Sequence, residues 1–163
     1  QLLAQAKTKC KSSEEQQVFA KILASTKVKE YPETELSTRY EKMIKTYKSL
    51  AKKNDMGYEK YLKTEMGMSK SEFEATAKTS AKNTVKQELI LHAIADKENI
   101  KISNSEYDDY LTSLLKDAGY TKDSYKDATG TSIGQYAEDN NLYSTMLYTK
   151  VMGKIMDKSK ATN

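Results

Sequence analysis

One stretch limits the fold more than any other. Ser69–Ile100, SKSEFEATAKTSAKNTVKQELILHAIADKENI, reads as a single long helix. Ser69 and Glu72 have the spacing of a capping box, in which a hydroxyl and a carboxylate satisfy backbone N–H groups that would otherwise lack partners. Phe73, Ala77, Ala81, Val85, Leu89 and Ala93 recur every four residues and define one face. From Leu89 to Ala95 the apolar residues surround the axis, interrupted only by His92. A helix that is apolar all round is covered on all sides. At ~1.5 Å per residue the rod would run about 40 Å, against a radius of gyration near ~15 Å for a compact domain of this length. The expectation is a spine on which the other elements pack, enclosed near its C-terminal end and amphipathic toward its N-terminal end.

The flanking segments carry helical patterns as well. Gln1 to about Lys27 follows a three-four spacing through Leu3, Ala6, Cys10, Ser13, Gln17, Ala20 and Ala24, with Val18, Phe19, Ile22 and Leu23 widening the apolar face. Ser12 and Glu15 offer an alternative start within it. Pro32 suits the first turn of a second helix, whose stripe is Leu36, Tyr40, Met43, Ile44, Tyr47, Leu50 and Ala51 and whose stop is the glycine of Asn54-Asp55-Met56-Gly57. A short helix follows from about Tyr58 to Met66. Beyond the spine, Ile100-Lys101-Ile102 reads as an extended connector. Ser103 and Glu106 form a second capping box for a helix from about Asn104 to Ala118, and a turn of helix covers about Thr121 to Lys126. A last helix runs from about Ile133 to Lys158, weakened by about 1 kcal/mol at each of Gly134 and Gly153.

Six glycines and one proline in 163 residues are few for many strands and turns. The fold class expected is all-α, in one domain over residues 1–163. A net charge of +4, with lysines interleaved among glutamates, reads as a mixed solvated surface and not as a nucleic-acid footprint. One cysteine and one histidine exclude an internal disulfide and a Cys/His zinc cluster. No apolar run approaches the ~18 residues of a membrane span, and no signal peptide is visible. The chain opens on Gln1 inside a helical pattern, which suggests a piece of a longer protein.

Catalytic chemistry finds no support. His92 has no general-base or metal partner set near it and reads as a core histidine satisfied by a neighbouring helix. Cys10 has no CxxC partner and looks structural. Asp108-Asp109 are neighbours that diverge on a helix. No phosphate loop, nucleophile elbow or HExxH occurs. No cofactor, metal or catalytic residue is expected.

The unusual feature is 7 Met and 12 Tyr against 2 Phe and no Trp. Methionine adapts to many shapes at binding surfaces. Tyrosine joins an apolar body to a polar tip, useful where a surface is alternately wet and covered. The competing reading is plain core filler. It weighs least at Met66 and Met68, which sit with Met56 around the Gly57 and Gly67 turns.

In order, KVKEYPETEL, AKNTVKQELILHAIADKENIKIS, NSEYDDYLTSLLKDAGY and LYTKVMGKIMDK resemble the C-terminal domain of bacterial trigger factor. Its helix-start pattern V-P-E-x-L is met at Pro32 and Glu33, with Tyr31 in place of Val and Leu36 one residue later. The spine and connector pattern falls on Val85, Lys86, Leu89, Leu91, Ile94, Ala95, Glu98, Ile100, Ile102, Ser103 and Glu106. The closing L-x-x-KV falls on Leu147, Lys150 and Val151. The match covers essentially the whole chain, while the Tyr- and Lys-rich surface is this chain's own. The resemblance implies an elongated trigger factor/SurA-like all-α fold, a long central helix with helical arms around a cradle for unfolded chains. It also implies an FKBP-type prolyl isomerase domain upstream of Gln1 and a cytoplasmic location, with export and surface anchoring as the alternative. The family's ribosome-binding segment is not in this sequence, so ribosome docking is not carried over.

Two functions follow as expectations. In the first, the chain holds unfolded or nascent polypeptide without chemistry. The contacts would be Tyr40, Met43 and Tyr47 on one arm, Tyr58, Tyr61, Met66 and Met68 at its tip, and Tyr107, Tyr110, Tyr143 and Met146 on the other. In the second, the same apolar faces make a homodimer of a larger isomerase.

Overall fold

The computed structural model describes residues 2–161, with side chains over residues 13–159. Cys10, Leu3 and Ala6 therefore lie outside the described side chains. Among the described residues there are eight helices and no strand, as the all-α reading expects. They are α1 (Leu2–Ser25), α2 (Glu33–Lys53), α3 (Tyr58–Glu65), α4 (Lys70–Lys97), α5 (Asn104–Asp117), α6 (Lys122–Thr129), α7 (Ile133–Asp139) and α8 (Leu142–Ala161). α1 runs unbroken, so the Ser12/Glu15 start is not used. Residues 20–90 form one compact unit, and residues 1–19 with 91–163 form another.

The helix ends follow local chemistry. Pro32 lies one residue ahead of α2, at its N-cap, where its carbonyl accepts from Leu36 N–H at 3.1 Å. Before α4 the capping box is complete: Ser69 N–H donates to Glu72 Oε2 at 2.8 Å, and Glu72 N–H donates to Ser69 Oγ at 3.3 Å. Ser103 caps α5 through Glu106 N–H at 3.2 Å. The sequence reading placed the glycine of Gly57 at the end of α2. Asp55, φ 51°, takes the left-handed position instead, and Met56 N–H reaches back to Ala51 O at 2.9 Å. Gly57 begins α3. Asn99 and Gly119 end α4 and α5 with the same geometry, Ile100 N–H returning to Ala95 O and Tyr120 N–H to Leu115 O, each at 2.8 Å.

Two expectations need correction. The last helix is two, because Asn141 adopts φ 53° and reverses the chain between α7 and α8. Asparagine tolerates that conformation since its short side chain bonds locally. The spine is also not covered all round near its C-terminal end. Ile90, Leu91 and Ala95 are buried, but His92 and Ala93 are exposed. A row repeating every four residues turns ~40° per step against 3.6 per turn. Phe73, Ala77, Ala81 and Val85 stay buried, and by Ala93 the row has rotated into solvent. His92 is thus a surface residue and not a core histidine.

In the unit of residues 20–90, Leu62, Phe73 and Ala77 form a small core under Tyr40, Met43, Ile44, Tyr47, Tyr58 and Met68. In the other unit, Leu111, Leu115, Ile133 and Ala137 form the core of α5–α7, under Tyr107, Tyr110, Tyr125 and Leu142. Phe19 of α1 meets Tyr148 of α8 edge-on, ring centroids 5.1 Å apart. Val151 and Met152 are fully buried, so for Met152 the core-filler reading is correct. Lys150 ties α8 to the connector and to α5, donating to Lys101 O at 2.8 Å and pairing with Glu106 at 2.6 Å.

Candidate functional site

On α2 the three-four spacing of Tyr40, Met43, Ile44 and Tyr47 turns one row toward Leu62, Phe73 and Ala77. These side chains are half-buried, each split between core and solvent. Tyr47 tilts onto Phe73 at 4.6 Å, and Tyr58 meets the same ring edge-on at 6.3 Å. The Tyr58 hydroxyl is buried without a hydrogen-bond partner, and burial, before the charges of Glu74 and Tyr40, raises its pKa above the ordinary tyrosine value. Tyr61 is half-buried and Met66 is 37% exposed.

Beside Tyr40 lies an apolar groove of about 400 Å³, with Leu36, Tyr40 and Ala81 along it and Glu33, Lys78 and Lys82 at its edges. A second depression of about 310 Å³ also borders Tyr40 and is lined by Glu41, Ile44, Lys45 and Lys48 of α2. Three ammonium groups lie over tyrosine rings: Lys78 over Tyr40 at 5.8 Å, Lys82 over Tyr31 at 5.0 Å and Lys48 over Tyr58 at 5.7 Å. Nearby, Arg39 pairs with Glu88 at 2.6 Å. Among the described residues, none of Lys45, Lys48, Lys78 and Lys82 has a carboxylate partner.

The other unit carries a different tyrosine surface. Tyr107 stacks near Tyr110 at 6.4 Å and meets Tyr143 edge-on at 5.5 Å. A second run goes from Tyr120 to Tyr125 at 5.7 Å and on to Tyr136 at 6.0 Å, both edge-on. Tyr143 is 41% exposed, Tyr136 42% and Tyr120 39%, while Met146 is half-buried. The Tyr107 pKa is raised, first by burial and then by Tyr110 and Glu138. The Tyr107 hydroxyl thus stays protonated at neutral pH and supplies contact, not acid–base chemistry.

The eleven candidates therefore fall into two groups: Tyr40, Met43, Tyr47, Tyr58, Tyr61, Met66 and Met68 in one unit, and Tyr107, Tyr110, Tyr143 and Met146 in the other. The sequence reading missed Leu36, Lys78 and Lys82 at the groove, because lysines four apart on a helix read as solvated surface. It also missed Tyr120, Tyr125 and Tyr136, whose rings meet only once α6 and α7 are folded against each other. No set of three or more His, Cys, Asp or Glu among the described residues is placed to hold a metal ion. No described helix is long and apolar enough to cross a membrane.

The family described as bacterial trigger factor protein C-terminus matches residues 1–157. A trigger factor of Agathobacter rectalis is 24% identical over 159 residues, covering 98% of this chain and 34% of the relative. One of Macrococcus caseolyticus is 27% identical over 123 residues, covering 76% of this chain and 28% of the relative. The chain thus spans about a third of the length of the curated relatives it matches. No solved structure is a significant match.

Proposed function

The chain belongs to the bacterial trigger factor C-terminus family, and from that premise we propose that it is a chaperone module holding unfolded or nascent polypeptide on its tyrosine and methionine surfaces. The observation that carries the reading is the half-burial of Tyr40, Met43, Tyr47, Tyr58, Met68, Tyr107 and Tyr110 over two small cores. Each ring or thioether is anchored on one side and open on the other, so a client segment gains apolar contact without the module unfolding. Hydrophobic contact is non-directional, and methionine adapts to the shape it meets, which suits clients of many sequences. The contacts proposed are the eleven candidates together with Leu36, Tyr120 and Tyr136. The module works in the cytoplasm, as the family resemblance implies, and prolyl isomerisation belongs to a separate domain of the longer protein.

The test is aggregation of a chemically denatured client, followed by light scattering with and without the chain. The expected result is slowed aggregation at near-stoichiometric ratio. Because the chain has no tryptophan, client tryptophan fluorescence reports binding directly. A module that leaves both signals unchanged, and that sediments as a tight dimer, would instead be an assembly element. An isomerase assay on this chain is expected to show no rate above the uncatalysed one.

A further inference from the structure

The charge of the chain is unevenly divided. Residues 20–90 carry fifteen Lys or Arg against ten Asp or Glu, a net +5, whereas residues 104–143 carry three against eight, a net −5. Part of that excess lies along α2 and at its groove with α4. Lys45, Lys48, Lys78 and Lys82 border its two depressions, opposed there only by Glu33 and Glu41. Two other cations of the same unit pair with carboxylates: Arg39 with Glu88, and Lys70 with Glu59 at 3.3 Å.

We infer that this groove selects client segments in which an apolar or aromatic residue is flanked by carboxylates. The inference rests on the chaperone reading and names the class of segment the groove prefers. Tyrosine faces hold Lys48, Lys78 and Lys82 at the edges of an apolar trough. A cation resting on a ring keeps N–H donors for an incoming anion, and no intrachain carboxylate has to be displaced first. The two depressions share Tyr40 and together run along α2 from Leu36 to Lys48, twelve residues or about 18 Å at the rise of a helix. That length takes five or six residues of extended chain at ~3.3 Å each. An apolar side chain fills the trough while neighbouring carboxylates reach the lysine edges. A basic segment meets four ammonium groups against two carboxylates and is disfavoured.

The experiment compares three fluorescein-labelled, unstructured peptides with one shared aromatic core, flanked by glutamates, serines or lysines. Binding to the chain is measured by anisotropy at low and at ~0.5 M salt. At low salt the glutamate peptide is expected to bind about five- to ten-fold more tightly than the serine peptide, and the lysine peptide least. High salt should bring the three together. The double variant Lys78→Glu/Lys82→Glu should invert the order, and Lys78→Gln/Lys82→Gln should flatten it. A matched control, Lys116→Glu/Lys126→Glu in the other unit, changes net charge equally and should leave the order intact. Equal binding of the three peptides, or an equal response to the control pair, overturns the inference while the serine peptide's binding preserves the chaperone reading. Binding of none removes that reading and the inference with it. A concentration-dependent dimer abolished by Lys78→Glu/Lys82→Glu assigns the groove to a second copy and also overturns it.

Discussion

Tyrosine is used in two opposite ways in this chain. Along α2–α4, Tyr31, Tyr40 and Tyr58 each lie under a lysine ammonium. From α5 to the start of α8, six tyrosines meet one another, mostly edge to face. The rings are the same and the local charge differs. A ring face is electron-rich and attracts either a cation or the positive edge of another ring. Where lysine is in excess the faces are taken by ammonium groups. Where aspartate and glutamate dominate, ring edges take them. The surrounding charge thus decides whether a tyrosine surface is a rim for anions or an aromatic sheet of its own.

The largest expected effects test whether the two regions are separate bodies. Phe73 is 3% exposed and supports Tyr47 and Tyr58, so Phe73→Ala should cost about 3–5 kcal/mol. Leu115, also 3% exposed, should cost about 2–5 kcal/mol as Leu115→Ala. Amide exchange locates each loss: Phe73→Ala should raise exchange in α2 and α3 while sparing α5–α7, and Leu115→Ala the reverse. Equal response everywhere would break the comparison.

Caps come next. Thr121 and Ser124 form a reciprocal box at α6, with Ser124 N–H donating to Thr121 Oγ1 at 3.1 Å and Thr121 N–H to Ser124 Oγ at 2.8 Å. Thr121→Ala should cost about 1 kcal/mol in a urea titration, and Ser69→Ala at the α4 box a similar amount. Because α6 has no buried residue of its own, its cap should matter more to local exchange than the cap of α4. The same loss of protection at both caps would deny that difference.

A smaller pair compares one substitution in two settings. Tyr58 buries an unpartnered hydroxyl, so Tyr58→Phe should be neutral or stabilising by up to about 1 kcal/mol. The Tyr107 hydroxyl is engaged by the backbone of Tyr143. Tyr107→Phe should therefore destabilise slightly, the opposite sign. Thermal midpoints of the two variants check this, and a shared sign would remove the distinction between the surfaces.

Much of this was legible in the residues, and the failures share a cause. Helix identity, the Ser69 and Ser103 caps and the row from Phe73 to Val85 follow from short-range spacing, which local sterics enforce. The break at Asn141, the left-handed Asp55 and the exposed side of His92 depend on which neighbour covers a segment, and spacing does not carry that. The total charge of +4 hid a basic stretch over residues 20–90 and an acidic one over residues 104–143, although both were present in the sequence. The groove was invisible for another reason. Lys78 and Lys82 become rim residues only when Tyr40 and Tyr31 are brought under them.

The smallest expected effect is acid response, and it too divides the regions. A hydrogen bond from Lys158 lowers the Glu98 pKa, one from Lys150 lowers that of Glu106, and the Ser69 backbone lowers that of Glu72. A carboxyl held below its ordinary value stabilises the fold above the unfolded pKa, and the contribution disappears as pH falls through the folded one. The loss therefore lies below the ordinary glutamate range. Glu98 and Glu106 join α8 to segments far away in the chain, whereas Glu72 closes a box with its own helix. Acidification should thus release α8 while α2 and α3 keep their protection. Amide exchange at pH 3 against pH 6 reads this, and Glu98→Gln/Glu106→Gln should remove most of the difference at α8. An unchanged acid slope in that double variant would mean the lysine ties contribute nothing there, and that the two regions differ in their tyrosines alone.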